Sequence, residues 1–460
     1  MKHLNIEVPV KRSPKLDPDY LPLYKFNQAF LKDAKQPLGL AVERSNGEMA
    51  VCETFIHGTP EMREADCYYV NRVVKTILWM KGGFKIYVRG SEDICAYLQE
   101  AYSAGGCQAF DWDYMANVFE RPFEVVSCET LPQAKDSPQA IGRHLDGCRI
   151  GFDAGGSDRK VSAVIDGESV FSEEVVWFPK TTSDPDYHYN GIVSALKAAA
   201  EHMPRVDAVG VSSAGVYINN RTMSASLFLQ VPQDLFEAKV KDIYIRAITD
   251  TFGDVPYAVA NDGDVTALAG AMSLGEDNVL GIAMGTSEAV GFVDPQGRIT
   301  GWLNELAFVP VDAAPGAMQD EWSGDIGCGV KYFSQDAVIK LAPAAGIALD
   351  EALSPAEKLK AVQALMAEDD PRAADIYDSI GVYLAHALAL YFDLYRFHHV
   401  LLLGRVMSGK GGDRILAACR DVLADEYPEI AGQINPTLPD EKFRRVGQSA
   451  AAASLPDIAR

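Results

Sequence analysis

Two loops of small residues, far apart in the chain, could bind the phosphate groups of a ligand. Glycine has no Cβ and tolerates positive φ, so such a loop can bring several backbone amides close to one anion. Each loop alone is weak evidence, because ordinary β-turns have the same composition. The candidate amides belong to Gly155, Gly156 and Ser157 in the first loop and to Gly285, Thr286 and Ser287 in the second.

Two carboxylates could complete such a site. Asp153 opens the first loop and could hold Mg2+ through water. Asp262 follows a predicted strand and opens a predicted helix, where it could accept the proton of a hydroxyl that attacks a phosphoryl group. Aspartate is also a favoured helix N-cap, so a purely structural role for Asp262 stays open.

Strands and helices alternate around these residues, which predicts an α/β fold. From residue 149, a strand leads into the first loop, and a second strand, a tight turn and a third strand follow. From residue 278, the same order recurs around the second loop, which favours two similar lobes and a pair of loops that clamps a nucleotide. We predict strands over 149–152, 161–165, 170–177, 208–212, 257–260, 278–283, 289–293, 298–301 and 399–403, and helices over 190–202, 234–252, 265–273, 371–397 and 413–425.

The residues before this region form a pattern of their own. Residues 131–138 are polar and carry two prolines, which is typical of a linker. Before them, a hairpin signal at residues 45–47 lies between two stretches typical of strands. These features predict a small α/β domain of about 130 residues, without a basic helix that would indicate DNA binding. Its strands are predicted over 39–44, 49–55, 84–88 and 123–128, and its helices over 69–80 and 93–104.

The composition excludes several classes of protein. The chain has 460 residues, of which 48% are hydrophobic and 23% are charged, close to the average of globular proteins. Its net charge of −22 argues against non-specific binding to nucleic acid and against attraction to anionic membranes. No apolar run approaches the ~20 residues that span a bilayer, and no signal-peptide pattern is visible, so we expect a cytoplasmic protein. The 8 cysteines form no C-x-x-C pair, and we expect them to be reduced.

From about residue 149 to its C-terminus, the sequence resembles the ROK family (repressors, open reading frames and kinases) of the actin, hexokinase and Hsp70 superfamily. The two loops are similar to the phosphate motifs of that family. Asn261 and Asp262 resemble its Glu-Asn-Asp motif, whose Asp is the catalytic base. Glu305 stands where the Gly-Glu-x-Gly-His motif places a sugar-binding Glu. The segments 210–215, 403–406 and 447–453 resemble the edge of the sugar site, the adenosine motif and the closing helix.

The resemblance implies an actin-like ATPase (ribonuclease H-like) fold of two lobes, to which this chain adds the small N-terminal α/β domain. The patterns before residue 149 predict an N-terminal domain of unknown role over 1–130 and a linker over 131–148. The resemblance implies a first lobe over 149–262 and a second lobe over 263–460, whose last helix returns to the first lobe. It also implies ATP as co-substrate, Mg2+ as cofactor and Asp262 as general base. Adenosine would contact Gly404 and Arg405, and the substrate would contact Gly215, Asn261, Asp262 and Glu305.

Several positions depart from the family pattern, mainly on the sugar side. The His of the sugar motif is Phe308, and a phenyl ring cannot replace its contact to a hydroxyl. The zinc cluster survives only around Cys328, so we expect no structural zinc, and the Glu that follows it in the sugar kinases is Val330. Glu288 follows the second loop where glycine is usual, and its charge would repel a triphosphate unless it points outward. Ala260 takes the place of the Glu in the Glu-Asn-Asp motif.

These observations predict a glucokinase-like kinase that phosphorylates a hydroxyl of a sugar or sugar-like polyol in a cleft between the lobes. One alternative is a ligand sensor that keeps the fold without the chemistry and uses the N-terminal domain as its output module. Another is an ATPase of the same superfamily that activates a second enzyme, although the scattered cysteines give little support to the iron–sulfur cluster that such proteins often bind. The expected partners are small molecules, and the resemblance favours a homodimer.

Overall fold

The computed structural model describes residues 1–136, 141–439 and 447–458 of the chain. The linker predicted over 131–148 therefore lies partly outside the described residues. By their contacts, the residues cluster into two compact units. The first unit comprises Met1–Ser137, Ile282–Val290 and Trp302–Leu438, and the second comprises Pro138–Gly281, Gly291–Gly301 and Pro439–Arg460, each as far as it is described.

Strands and helices are numbered in chain order. The strands are β1 (Lys2–His3), β2 (Ile6–Glu7), β3 (Gln36–Arg44), β4 (Glu48–Ile56), β5 (Lys85–Arg89), β6 (Glu124–Ser127), β7 (Cys148–Ala154), β8 (Asp158–Ile165), β9 (Glu168–Val176), β10 (Ala208–Ser213), β11 (Val216–Ile218), β12 (Arg221–Ser224), β13 (Tyr257–Asn261), β14 (Val279–Met284), β15 (Glu288–Val293), β16 (His399–Leu403) and β17 (Asn435–Thr437). The helices are α1 (Leu23–Leu31), α2 (Arg63–Lys81), α3 (Glu92–Ala101), α4 (Ala109–Phe119), α5 (Pro185–Ala200), α6 (Gln233–Leu235), α7 (Ile243–Phe252), α8 (Asp262–Leu274), α9 (Gln335–Leu341), α10 (Pro355–Ala367), α11 (Pro371–Tyr395), α12 (Lys410–Glu426), α13 (Pro428–Ala431) and α14 (Gln448–Ala453).

A five-stranded sheet forms the centre of the second unit, in the order β13-β10-β7-β8-β9. β10 runs parallel to β7 and β13, whereas β8 is antiparallel to β7 and β9. Every residue of β7 and β10 is buried, as expected for strands that are covered on both faces. Apolar residues of α5 and α7 join the core of this sheet. The carboxyl ends of β7, β10 and β13 lie side by side, which is where open α/β sheets bind ligands.

Helix α14 packs on β7 and β10 at close range. A Cβ at Gly151 would overlap the carbonyl oxygen of Ser449, and a Cβ at Gly210 would overlap that of Ala452. Only glycine fits at these two strand positions, because the backbone of the helix occupies the space of a side chain. The short side chains of α14, most of them alanine, permit the same approach. The last helix of the chain thereby belongs to the second unit.

Residues of the first unit take part in three sheets. The N-terminal residues form the two-stranded sheet β1-β2 and the sheet β4-β3-β5-β6, and the third sheet has the order β15-β14-β16-β17. Helix α2 packs on β3 and β4, and α1 packs on α11. Because α2 is buried along most of its length, it needs further elements of the unit to cover it. The first 136 residues thus cluster with residues 302–438, and a separate N-terminal domain is not confirmed.

Some elements differ from the prediction. Residues 298–301, all of them described, contribute a single bridge between Val293 and Ile299 instead of a third strand. The helix predicted over 234–252 is divided into α6, a π-helical segment Phe236–Val240 and α7. Helices α1, α4, α9, α10 and α13 were not predicted. Ser354 and Glu357 form a capping box at the start of α10, a signal that the sequence displays.

Among the helices of the described residues, none combines the length and the apolar composition that a bilayer crossing needs.

The 8 cysteines are free thiols, and 5 of them are buried. Burial keeps a thiol unreactive, because it raises the pKa of the sulfur, as at Cys419.

Candidate functional site

Asp153 lies at the carboxyl end of β7, in the centre of the sheet of the second unit. Its backbone pairs with that of Ser212 on β10, and the Ser212 hydroxyl donates a hydrogen bond of 2.9 Å to Asp153 Oδ1. Burial raises the pKa of Asp153 to about 6; the Ser212 hydrogen bond opposes this rise, and the charge of Asp262 adds to it. A nearby cation would favour the ionised form, so Asp153 is suited to bind one.

Asn261 and Asp262 lie where β13 ends and α8 begins. Asn261 is the N-cap of α8: its Oδ1 accepts a hydrogen bond of 2.7 Å from the Gly263 N–H, and its Nδ2 donates one of 2.7 Å to the Gly215 carbonyl. The interpretation of Asp262 as the N-cap is therefore wrong. Asp262 is the first helical residue and is partly exposed. Burial raises its pKa above the usual range, against the effects of the Gly263 N–H and the charge of Lys180.

Gln448, the first residue of α14, connects these groups. Its Nε2 donates a hydrogen bond of 3.0 Å to Ser212 Oγ and one of 3.1 Å to the backbone carbonyl of Asp262. The serine that binds Asp153 is thereby tied to the start of α8. No local pattern marks Gln448 as a site residue, because its two partners lie 236 and 186 positions away in the chain.

The first loop runs from β7 to β8 in the second unit. Trp177 fixes it, because the indole N–H donates a hydrogen bond of 2.7 Å to the Gly155 carbonyl and the backbone N–H donates one of 3.1 Å to the Ser157 carbonyl. Neither Gly155 nor Gly156 has a positive φ. What the loop uses is the absence of a side chain: a Cβ at Gly156 would lie 2.8 Å from Lys180 Cε. The tolerance of glycine for positive φ is not used at these two positions.

The second loop connects β14 to β15 in the first unit. The Gly285 N–H donates a hydrogen bond of 2.9 Å to the Ser287 carbonyl, and the Gly285 carbonyl accepts one of 2.9 Å from the N–H of Gln335. Gly404 lies beside the end of β14: its φ is 95°, and a Cβ there would overlap the backbone of Met284. The predicted adenosine motif therefore lies next to the predicted phosphate loop.

The end of α2 holds the segment that contains Glu305. The last carbonyl groups of a helix have no partners within it. Here the carbonyls of Trp79 and Met80 accept hydrogen bonds of 3.0 Å from Glu305 N–H and of 2.9 Å from Asn304 N–H. Phe308, which stands where the family motif has a His, packs on the Trp79 ring with a centroid distance of 4.2 Å. The N-terminal residues thus shape the segment that the resemblance assigns to sugar binding.

A buried ion network joins α2 to the segment that matches the family's zinc cluster. Asp325 lies 3.0 Å from Arg72 and 3.3 Å from Lys75, and Lys75 also lies 2.9 Å from Asp111. Burial would raise the pKa of Asp325, but the charges of Arg72 and Lys75 hold it at about 2. Cys328, the remnant of the zinc pattern, is a thiol whose pKa burial raises to about 12. Charge pairing with α2 fixes this segment.

Glu288 is buried in the first unit and does not point outward. It is 4% exposed, and its Oε2 fills the space that a side chain at Gly329 would need. Within the described residues, neither carboxyl oxygen of Glu288 has a hydrogen-bond partner. Burial raises its pKa well above the usual range, and the charge of Glu305 raises it further. The raised pKa disfavours the charged form of Glu288, which weakens the expected repulsion between Glu288 and a triphosphate.

Glu288→Gln should stabilise the protein more strongly as the pH rises. The native state binds the Glu288 proton more tightly than the unfolded chain does. Wild-type stability therefore falls, by up to about 1.4 kcal/mol per pH unit, as the pH rises from the unfolded pKa of about 4.3 towards the native one. Glutamine has no such proton to lose. Urea unfolding at pH 5 and pH 8 measures the difference, with exposed Glu351→Gln as control. An equal effect of Glu288→Gln at both pH values would contradict a raised pKa.

Each unit brings together residues that the sequence singled out. The second unit assembles Asp153, Gly155, Gly156, Ser157, Gly215, Asn261 and Asp262 around the carboxyl ends of its parallel strands. The first unit contains two adjoining segments, one with Gly285, Thr286 and Ser287 and the other with Gly404 and Arg405. In the same unit, the backbone of Glu305 is hydrogen-bonded to the end of α2. Gln448, in the segment that resembles the closing helix, and Lys180, outside every motif, were not predicted as site residues.

Comparison with known proteins finds similarity in structure. No family model and no curated protein matches the chain. The ROK hexokinase from Thermus thermophilus is 19% identical, with a TM-score of 0.52 over 67% of this chain and 97% of the hexokinase. A ROK family transcriptional regulator, a homolog of the E. coli MLC protein, is 17% identical, with a TM-score of 0.51 over 79% and 88%. A ROK family glucokinase from Streptomyces griseus, in complex with glucose and AMPPNP, is 20% identical, with a TM-score of 0.47 over 67% and 98%.

At these identities the likeness concerns the fold alone. Nearly the whole hexokinase matches two thirds of this chain, so about a third of the chain lies outside the shared fold. The same fold therefore also occurs in a protein that is described as a transcriptional regulator. The chain has the mixed α/β, ROK sugar-kinase-like fold.

Proposed function

We propose that this protein transfers the terminal phosphoryl group of ATP to a hydroxyl of a sugar or a sugar-like polyol. The observation that carries the proposal is the placement of Asp153 and Asp262 beside a glycine loop at the carboxyl ends of parallel strands. Phosphoryl transfer to a hydroxyl needs a bound polyphosphate and a carboxylate that accepts the hydroxyl proton. The fold shared with a ROK hexokinase supports the same reaction class.

Asp262 is the general base of the proposed reaction. As the acceptor oxygen attacks the γ-phosphorus in line, its proton passes to the Asp262 carboxylate, the bond from phosphorus to the bridging oxygen breaks, and ADP leaves. The raised pKa of Asp262 makes it a stronger base than an exposed aspartate. Asn261 caps the helix, Asp262 Oδ1 accepts a hydrogen bond of 3.0 Å from the Gly263 N–H, and Gln448 holds the backbone at this point. The amides of the two loops would bind the phosphates.

Asp153 fits the magnesium ion that accompanies ATP. Mg2+ usually binds through one or two carboxylates, water and the phosphates of the nucleotide. The charges of Asp153 and Asp262 repel each other, which favours a cation beside them. Across the part of the chain that the structure describes, no three His, Cys, Asp or Glu side chains converge, so the phosphates would supply part of the ligand set. When bound, the ion would neutralise negative charge on the phosphates.

The substrate side of the proposal differs from a glucose site. Gly215, Asn261 and Glu305 would contact the acceptor, as the resemblance implies. Phe308 presents a phenyl ring packed on Trp79 where an imidazole would contact a sugar hydroxyl. We therefore propose an acceptor that makes an apolar contact at Phe308. Glucose is included among the acceptors to be tested.

A panel of hexoses, amino sugars and polyols, each with ATP and Mg2+, tests the proposed function. ADP release and the mass of the product identify the acceptor class. Phosphorylated product from one class, with turnover that depends on the acceptor, is the expected result. Nucleotide binding without product from any acceptor would contradict the kinase, and a protein that binds no nucleotide would contradict the phosphate sites as well.

A ligand sensor without phosphoryl transfer is the second candidate. The hydrogen bonds between the end of α2 and the segment that contains Glu305 favour this candidate. A ligand bound at that segment would directly change the contacts of the N-terminal residues. One of the structural neighbours is a ROK regulator. Sugar binding without product, together with a changed proteolysis pattern in residues 1–136, would support the sensor over the kinase.

A further inference from the structure

Lys180 lies against the first loop of the second unit. A Cβ built on Gly156 would lie 2.8 Å from Lys180 Cε and 3.0 Å from Lys180 Nζ. The end of the lysine side chain therefore fills the space that Gly156 leaves beside the loop. Lys180 is exposed, so its ammonium group is open to a ligand from solvent.

The backbone on both sides of Lys180 is fixed. Trp177, three residues earlier, binds the Gly155 carbonyl of the loop through its indole N–H. The Pro179 carbonyl accepts a hydrogen bond of 2.9 Å from Nε2 of His188, whose ring is fully buried. A short 3-10 turn carries Lys180 between these two anchors. An anchored backbone lowers the ordering cost when the side chain binds an anion.

Other cations near the loop are already engaged. Lys160 Nζ lies 3.7 Å from a carboxylate oxygen of Asp158 and 3.7 Å from one of Glu174. The Arg159 guanidinium lies 5.9 Å from the centroid of the Trp177 ring. Lys160 therefore already has carboxylate partners, and Arg159 already has an aromatic partner.

Lys180 differs from these cations. Among the residues that the structure describes, it forms no ion pair. Its charge opposes the rise that burial causes in the pKa of Asp262, so the two groups lie within electrostatic reach of each other. The ammonium group thus lies near both the loop and the proposed base. In a chain of net charge −22, a polyphosphate needs local positive charge of this kind.

From this geometry we infer that the Lys180 ammonium group binds the terminal phosphate of the nucleotide held by the first loop. The inference rests on the proposed function and extends it, because it adds a cation that belongs to none of the matched motifs. An ammonium group is a compact charge that donates strong hydrogen bonds to phosphate oxygens. Lys180 would stay bonded to the same oxygens while the phosphorus moves to the acceptor, and so would stabilise the charge of the transition state.

Lys180→Met tests the inference, because it removes the charge and keeps the length of the side chain. Equilibrium titration with a nonhydrolysable ATP analogue and with ADP, each with Mg2+, measures nucleotide affinity. We expect the affinity for the analogue to fall about 10- to 100-fold and that for ADP to fall less than about threefold, since ADP lacks the terminal phosphate. Lys180→Arg should keep most of the affinity for the analogue. In the active enzyme, Lys180→Met should also move the acid limb of kcat/KM to higher pH.

Lys197→Met is the matched control, because Lys197 is an exposed lysine on α5 of the same unit. It should change neither affinity. An equal loss for the analogue and ADP, or no loss for either, would overturn the inference. Wild-type protein that binds ATP but phosphorylates no acceptor contradicts the proposed function alone, since the affinity ratio still decides the role of Lys180. Wild-type protein that binds no nucleotide overturns both.

Discussion

Asp262→Asn should abolish phosphorylation of the acceptor while nucleotide affinity stays within about threefold of wild type. We expect kcat to fall at least about 10³-fold, because asparagine keeps the shape of the side chain but cannot accept the hydroxyl proton. The fold should tolerate the change, since Asn261 supplies the cap of α8 and a neutral amide suits a position where burial disfavours charge. ADP release with the best acceptor and titration with nucleotide measure the two effects.

The control for this variant is Asp234→Asn, an exposed aspartate in the first turn of α6 of the same unit. The pH profile gives an independent readout. Activity should fall as the pH drops through the pKa of Asp262, because a protonated carboxyl cannot act as a base. Since burial raises that pKa, the acid limb should lie above the ordinary aspartate value of about 3.9. Near wild-type kcat in Asp262→Asn would remove Asp262 as the base.

Asp325→Asn should lower the free energy of unfolding by about 3–5 kcal/mol, the usual cost of removing one partner from a buried ion pair. The variant leaves Arg72 and Lys75 with less compensation, and the Lys75 side chain is 0% exposed. Asp111 compensates only part of this charge. Urea unfolding at pH 7 measures the loss, and thermal unfolding checks it.

Asp93→Asn is the matched control, because Asp93 pairs with Arg63 of α2 at the surface, where side-chain exposures are 54% and 56%. An exposed pair contributes at most about 1 kcal/mol, so the control should be nearly neutral. The pH dependence has a definite sign: the pKa of Asp325 is about 2 in the native state, below the unfolded value, so its contribution is complete above about pH 4 and is lost between about pH 4 and pH 2. A loss of less than about 1 kcal/mol at pH 7 would contradict a structural role for the network.

Much of the second unit could be predicted because its signals are local. Strand β7, the first loop and β8 follow one another within a few residues, and apolar runs separated by glycine and polar residues predict such a unit. Asp262 was found in the same way, from its position after a strand and before a helix. The sequence could not show that Asn261, and not Asp262, caps α8, because the side chains of both residues can cap a helix.

The role of the N-terminal residues could not be predicted. Their strands and helices α2 and α3 follow from local patterns, which led to the expectation of a separate domain. Nothing in those patterns indicates that the carbonyls of Trp79 and Met80 accept hydrogen bonds from backbone N–H groups more than two hundred positions later. The donors are Glu305 and Asn304. Hydrogen bonds to backbone carbonyls carry no side-chain signature, so they leave no trace in a single sequence.

The amino-acid sequence by itself determined the α/β character, the two small-residue loops and the carboxylates Asp153 and Asp262, because these depend on side chains and backbone preferences within a few residues. Tertiary structure decided which of them share a unit and what surrounds them. Gln448 and Lys180 lie beside the candidate site residues through contacts at long sequence separation, and burial raises the pKa of Glu288. Packing and local dielectric are properties of the folded chain, and residues distant in sequence contribute to both.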